Sequence, residues 1–295
     1  MKNKFLIAAF CLCACVFSQN KETYTYAVKE ADSLKIDVYK PNNIKKSDRL
    51  PVVLWMHGGG FAGGKRDNPA EVKMMKYLTE QGYIGISISY RLLLKNLKIN
   101  SGCDCPKTFK LDIFRQATID YLDAAKYVVN NKDVLQVDPT KIIAGGSSAG
   151  AEGVLGAVYQ KDIFVDDISK YNAVNFSGVI SLAGALLNTD YISKYNAVPT
   201  VLFHGTDDKL VPIGKASHHY CAIDKLGYLI LNGSEEIADK LDDLNTSYYF
   251  HKVIGGGHEL CQIPFKEMKT VLDFFNKTIY DEITIQTKKI ITKDD

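Results

Sequence analysis

Residues 141–150 read Lys-Ile-Ile-Ala-Gly-Gly-Ser-Ser-Ala-Gly. An apolar, β-prone run, Lys141 to Ala144, enters this segment, and a helix-prone run, Ala151 to Gln160, leaves it. A strand that turns at once into a helix is the joint of a βα unit. Between the two runs, Gly146-Ser-Ser-Ala-Gly150 has the pattern G-x-S-x-G with Ser148 at its centre. The two glycines permit a sharp turn that a Cβ would crowd. Such a turn pushes one serine clear of the backbone, and the helix start beyond it offers free N–H groups to a developing oxyanion. Ser147 is the rival, but a frame centred on it puts Ala149 where the second glycine belongs. Ser148 is therefore the candidate nucleophile. The pattern also occurs in ordinary turns; its weight comes from the strand before it and the helix after it.

The rest of the chain repeats the same alternation. Tyr24 to Val28 and Leu34 to Tyr39 read as an antiparallel hairpin turning at Lys29–Ser33. Val52 to Met56 is a short continuous apolar run, the mark of a strand buried on both faces. Ala70 to Gln81 reads as a helix, Tyr83 to Tyr90 as a strand, and Lys110 to Asn130 as a helix with Ile113, Ala117, Tyr121, Ala124 and Val128 on one face. Strands follow at Phe176–Leu182, Val201–His204 and Tyr248–Val253, the last of the series, and a helix at Pro264–Lys277. Repeated βα alternation predicts a mostly parallel sheet with helices on both faces. Right-handed crossovers then align the strand C-terminal ends along one edge, where α/β sheets bind ligands.

Residues 1–18 carry Lys2 and Lys4 ahead of an apolar run, Phe5 to Phe17, too short to span a bilayer as a permanent helix. They read as an export signal. Cleavage after Ser18 releases a soluble periplasmic or secreted protein; the alternative is a lipoprotein anchored through Cys15, since Leu12-Cys13-Ala14-Cys15 approaches a lipobox. The soluble form is preferred. Domain bounds follow: signal 1–18, catalytic domain 19–280, C-terminal tail 281–295. Without Lys2 and Lys4 the 34 acidic side chains are matched by as many basic ones, so nothing suggests nucleic-acid binding. Of the seven cysteines, Cys103, Cys105, Cys221 and Cys261 lie outside the signal. In an exported chain they favour one or two disulfides, with pairing left open. Cys103-Asp-Cys105 lacks a partner cluster with zinc-like spacing, so no metal or other cofactor is expected.

A serine nucleophile needs an oxyanion cradle, an acid and a base. The strand ending at Met56 runs into His57-Gly-Gly-Gly-Phe61. Three glycines there let bare backbone approach a ligand, and their N–H groups can complete an oxyanion hole with that of Ala149. Neither a G-x-G-x-x-G spacing nor a Walker lysine follows, which disfavours a phosphate cradle. The strand ending at His204 leads into Thr206-Asp-Asp208; both acids are candidates, and the spacing favours Asp208. Of six histidines, His57 and His204 close strands and bond locally. His218 and His219 are expected on an exposed helix, and His251 lies within a strand. His258, after Gly255-Gly-Gly257 and before the last helix, completes the order Ser, acid, His.

These motifs, with Ser89-Tyr-Arg-Leu92 and Asp138-Pro-Thr-Lys-Ile142, resemble those of the α/β-hydrolase family. Within it they are similar to the compact carboxylesterases related to hormone-sensitive lipase and to bacterial feruloyl and acetyl-xylan esterases. The resemblance covers about residues 24 to 278. It implies an α/β-hydrolase fold with a mostly parallel eight-stranded sheet. It implies a serine ester hydrolase with Ser148 as nucleophile, Asp208 as acid, His258 as base, and oxyanion N–H groups from Gly59, Gly60 and Ala149. Ala151 stands where many relatives have another glycine. A secreted peptidase and a non-catalytic binding protein of the same fold are the alternatives. The short segment before Val52 leaves no room for a large N-terminal cap, so Leu92–Thr108 and the polar stretch Gly227–Asn245 are expected to shape the pocket. That points to a small-molecule or polysaccharide-linked ester of modest acyl size as substrate.

Overall fold

A computed structural model describes residues 21–30 and 32–294; residues 1–18, read above as an export signal, lie outside the described residues. Eleven strands are present among them: β1 (Lys21–Lys29), β2 (Asp32–Tyr39), β3 (Leu50–Met56), β4 (Ile84–Ile88), β5 (Val137–Ser147), β6 (Gly178–Leu182), β7 (Thr200–Gly205), β8 (Lys215–Ser217), β9 (Ile230–Asn232), β10 (Tyr248–Ile254) and β11 (Gln286–Thr292). The helices are α1 (Pro69–Glu80), α2 (Lys107–Asn130), α3 (Lys132–Leu135), α4 (Ala149–Tyr159), α5 (Lys161–Phe164), α6 (Ser234–Asp243) and α7 (Met268–Phe275).

Nine strands form one sheet in the order β1-β2-β4-β3-β5-β6-β7-β10-β11. The hairpin β1–β2 and the pair β2–β4 are antiparallel, and every other pairing is parallel. This is the mostly parallel sheet that the βα alternation predicts, in the α/β-hydrolase arrangement that the resemblance implies. It has one strand more than the expected eight. Gln286–Thr292, assigned by sequence to a tail outside the catalytic domain, pairs parallel with β10 along its whole length. Its Lys288 and Lys289 bind Asp239 and Glu267. A polar strand at a sheet edge has one ladder and a solvated flank, so its sequence lacks the apolar run that betrays a central strand.

The period of two along β3 divides the core. Val52, Leu54 and Met56 join the side covered by α2, α4 and α6; Val53 and Trp55 join the side covered by α1 and α7. Trp55 packs so closely on β5 that a Cβ on Gly145 would lie 2.6 Å from its ring. Helix α6 corrects a second expectation. No residue of Gly227–Asn245 lines the cleft; the segment packs into the core through Ile237, Ala238 and Leu241, fully buried on one face of an otherwise polar helix.

Of the two expected segments, Leu92–Thr108 does reach the cleft, through Ser101, and it is joined there by the segment around His218. A disulfide joins Cys103 to Cys221, with Cα atoms 5.2 Å apart. Gly227 N–H donates to the Cys103 carbonyl at 2.9 Å, and Lys107 N–H to the Leu226 carbonyl at 2.8 Å. Cys105 and Cys261 remain free. Among the described residues no three His, Cys, Asp or Glu side chains are grouped to hold a metal ion.

Candidate active site

Strands β3, β5, β7 and β10 each end on the same edge of the sheet, and each delivers one part of the site. At the end of β5 the chain turns through Ser148, whose φ of 50° and ψ of −124° lie in a region that side-chain-bearing residues rarely occupy. The flanking glycines make the turn feasible. A Cβ on Gly146 would meet the Gly150 carbonyl oxygen at 2.5 Å, and one on Gly150 the Met56 carbonyl oxygen at 2.2 Å. Ser147, the rival serine, ends the strand with its Oγ beside Gly58. Ser148 alone of the two meets the histidine.

Ser148 Oγ lies 2.8 Å from His258 Nε2. His258 Nδ1 lies 2.7 Å from Asp208 Oδ2. The other carboxylate oxygen of Asp208 accepts N–H bonds from Leu210 at 2.8 Å and Val211 at 3.0 Å. Asp207, its neighbour, points to solvent. The structure thus brings Ser148, His258 and Asp208 into one chain of contacts, although they are far apart in sequence. His204 Nε2 is 3.4 Å from Asp208 Oδ2 and also bonds to the Val211 carbonyl at 3.1 Å. His57 Nδ1 is 2.8 Å from its neighbour's carbonyl, Gly58 O, as the local reading of strand-end histidines expects.

Burial by itself would lift the Asp208 carboxyl, but hydrogen bonds from His204 and His258 together outweigh it and hold the group far below the usual carboxylate range. For His258, burial opposes the charged form, yet bonding to Asp208 and to Cys261 overcomes that and raises the imidazole to about 10. The carboxylate is built to favour the imidazolium.

The glycine loop after β3 stands over the serine. A Cβ on Gly58 would be 3.3 Å from Ser148 Cβ. Gly59 takes φ 126°, which only glycine adopts without strain. The loop is fixed from below by Tyr90, whose hydroxyl donates to the His57 carbonyl at 3.0 Å. Gly59, Gly60 and Ala149 all line the cleft that holds Ser148 and His258. Ala149 opens α4, so its N–H has no carbonyl partner within the helix. The cleft, about 640 Å³, is otherwise walled largely by Phe61, Leu210, Val211, Ile263 and Phe265. A half-buried serine on an imidazole, an imidazole on a carboxylate and backbone donors nearby form an arrangement able to carry out acyl transfer.

Among the cleft residues that sequence reasoning did not place in the site are Ser101, Glu152, His218 and His219. His218 and His219 are not on an exposed helix. They form a tight turn in which His218 is only 2% exposed and His219 has φ 57°. The one available signal was Glu152, a carboxylate in the first turn after Ser148 amid apolar neighbours.

The model of the BD-FAE family matches residues 36–186. Gut esterase 1 of Caenorhabditis briggsae is 34% identical over 42% of this chain and 20% of its own length. Carboxylesterase 1C of Mus musculus is 27% identical over 56% of this chain and 27% of its own length. The chain therefore spans less than a third of these relatives. Among solved structures, esterase 2 of Thermogutta terrifontis in its apo form superposes with a TM-score of 0.64 at 18% identity, covering 88% of this chain and 95% of that one. That likeness is one of fold.

Proposed function

The chain belongs to the BD-FAE family, and from that premise we propose that it is a serine carboxylic-ester hydrolase working through an acyl-enzyme. The observation that carries the proposal is the pair of contacts from Ser148 Oγ to His258 Nε2 at 2.8 Å and from His258 Nδ1 to Asp208 at 2.7 Å. In the first half-reaction Ser148 Oγ attacks the ester carbonyl and its proton passes to His258 Nε2. The tetrahedral oxyanion is held by N–H groups of Gly59, Gly60 and Ala149, each such donor being worth ~3 kcal/mol. Collapse expels the alcohol, which takes the proton from His258. Water then adds to the acyl-enzyme by the same path, giving the carboxylic acid and free Ser148. Asp208 holds Nδ1 protonated so that Nε2 faces the serine as an acceptor.

Short-acyl or polysaccharide-linked esters are the proposed substrates. The cleft is of modest size, and the Thermogutta esterase is known with propionate and with butyrate bound. Export is part of the reading: the Cys103–Cys221 disulfide fits an oxidising compartment. No helix of the described residues is long and apolar enough to cross a membrane. Hydrolysis of p-nitrophenyl acetate by wild type and by Ser148→Ala tests the mechanism. Activity should vanish in the variant, together with labelling by a fluorophosphonate. Equal rates in the two proteins would show that Ser148 is not the nucleophile.

A further inference from the structure

A second polar cluster shares the cleft with Ser148 and has no part in the ester chemistry. Glu152 lies in the first turn of α4, its N–H bonded to the Ser148 carbonyl at 3.0 Å. It therefore stands about one helical pitch, ~5.4 Å, from the serine. Its Oε1 is 3.3 Å from His218 Nε2, with side-chain exposures of 3% and 2%. Beyond that contact, which lacks hydrogen-bond geometry, neither Glu152 Oε1 nor His218 Nδ1 has a protein hydrogen-bond partner among the described residues. Buried polar atoms without a protein hydrogen-bond partner are rare in folded proteins, and in a binding cleft they mark a place for a polar ligand group.

The surroundings say which group. Burial, resisted by His258 and Lys110, pushes Glu152 up to about 8, so near neutral pH it is largely protonated. Burial also holds His218 well below its ordinary value and His219 down at about 4. Lys110, the nearby cation, is buried and committed to the Gly227 carbonyl at 2.7 Å. The cluster offers no charge to a carboxylate or an ammonium ion. It suits a neutral group that both donates and accepts, which is a hydroxyl. Ser101 Oγ and His219 Nε2, 3.3 Å apart, extend the polar wall. The wall is held in place by the Cys103–Cys221 bridge and by the positive φ of His219 and Tyr220, 57° and 51°.

We propose that Glu152 and His218 form a hydroxyl-binding subsite, and that the substrate is an ester with a hydroxyl group a few bonds from its scissile carbonyl. This rests on the Ser148 reading above. The hydroxyl can belong to the acyl part or to the alcohol part, and matched ester pairs tell the two apart. Ethyl 3-hydroxybutyrate is compared with ethyl butyrate, and 1-monobutyrin with propyl butyrate, by pH-stat. Wild type, Glu152→Met and His218→Leu are assayed, with active sites counted by fluorophosphonate titration. Wild type should favour the hydroxylated member of one pair by about tenfold or more in kcat/KM, and that ratio should fall towards one in the variants. Should one variant fail to label, the other decides. Equal rates within both pairs for wild type, or a preference that survives both substitutions, overturn the subsite and leave the hydrolase reading intact. Neither turnover nor labelling of wild type takes down both.

Discussion

Asp208→Asn is the substitution whose outcome the geometry determines most fully. Oδ1 of Asp208 accepts two backbone N–H bonds, from Leu210 and Val211. An asparagine must keep its carbonyl oxygen at that position, because an amide NH₂ there would face two donors. Its NH₂ is then forced towards His258 Nδ1, now 2.7 Å from Oδ2. An NH₂ can only donate, so Nδ1 becomes the acceptor and the ring proton moves to Nε2. That proton faces Ser148 Oγ, and the imidazole can no longer take the serine's proton. Loss of the correct tautomer in a Ser-His-Asp arrangement lowers kcat about 10³–10⁴-fold, or about 4–5.5 kcal/mol of barrier.

The same change has a pH signature. His258 accepts a proton only when neutral, and Asp208 helps raise it to about 10. Wild-type turnover should therefore rise with pH through the alkaline range. Removing the carboxylate charge lowers the imidazole value, so the rising limb of Asp208→Asn moves to lower pH. The assay is p-nitrophenyl acetate hydrolysis across pH 5–10, with the melting temperature of both proteins recorded. A folded Asp208→Asn enzyme within about fivefold of wild type, against the expected loss, would refute the tautomer argument.

Gly150→Ala places a methyl against the Met56 carbonyl, where the ideal Cβ would lie 2.2 Å away; overpacking of about 1–3 kcal/mol or more should lower the melting temperature and abolish fluorophosphonate labelling. Cys103→Ser opens a bridge between residues 118 apart in sequence; a loss near 4 kcal/mol in denaturant unfolding is expected, ~4.7 being the chain-entropy figure for a loop of about 100 residues, with a raised KM as the His218 wall loosens. Glu152 is an acid whose folded value is raised to about 8. Its contribution to stability is thus fully present below the unfolded value of about 4.3 and is lost as pH rises through about 8, so thermal melts of Glu152→Gln should decline less over that window than those of wild type. Parallel curves would show that the carboxyl is solvated.

What the sequence disclosed was local. The buried run Val52–Met56, the glycines around Ser148 and His258, and the order of serine, acid and histidine each depend on a few adjacent residues, and all fall where the pattern puts them. What it hid depends on distant neighbours. Gln286–Thr292 lacks apolar periodicity because only one edge of β11 is paired. The pair His218-His219 looks like a polar surface segment until the Cys103 bridge and the positive φ of His219 fold it inward. Glu152 lies within an otherwise apolar helix, and nothing nearby in sequence announces that His218 will meet it. Four cysteines allow three pairings, and only the approach of residues 101–105 to residues 218–221 selects Cys103 with Cys221.

Trp55 is the chain's single tryptophan, 1% exposed, with its ring against Gly145 three residues before Ser148. Its fluorescence therefore comes from one place, the contact between β3 and β5, the strand that leads into the Ser148 turn. A red shift on heating or in denaturant marks water reaching that contact. Comparison with the loss of far-ultraviolet dichroism asks whether the turn opens with the rest of the sheet or ahead of it. The chain carries its own optical probe beneath Ser148, with no label to attach.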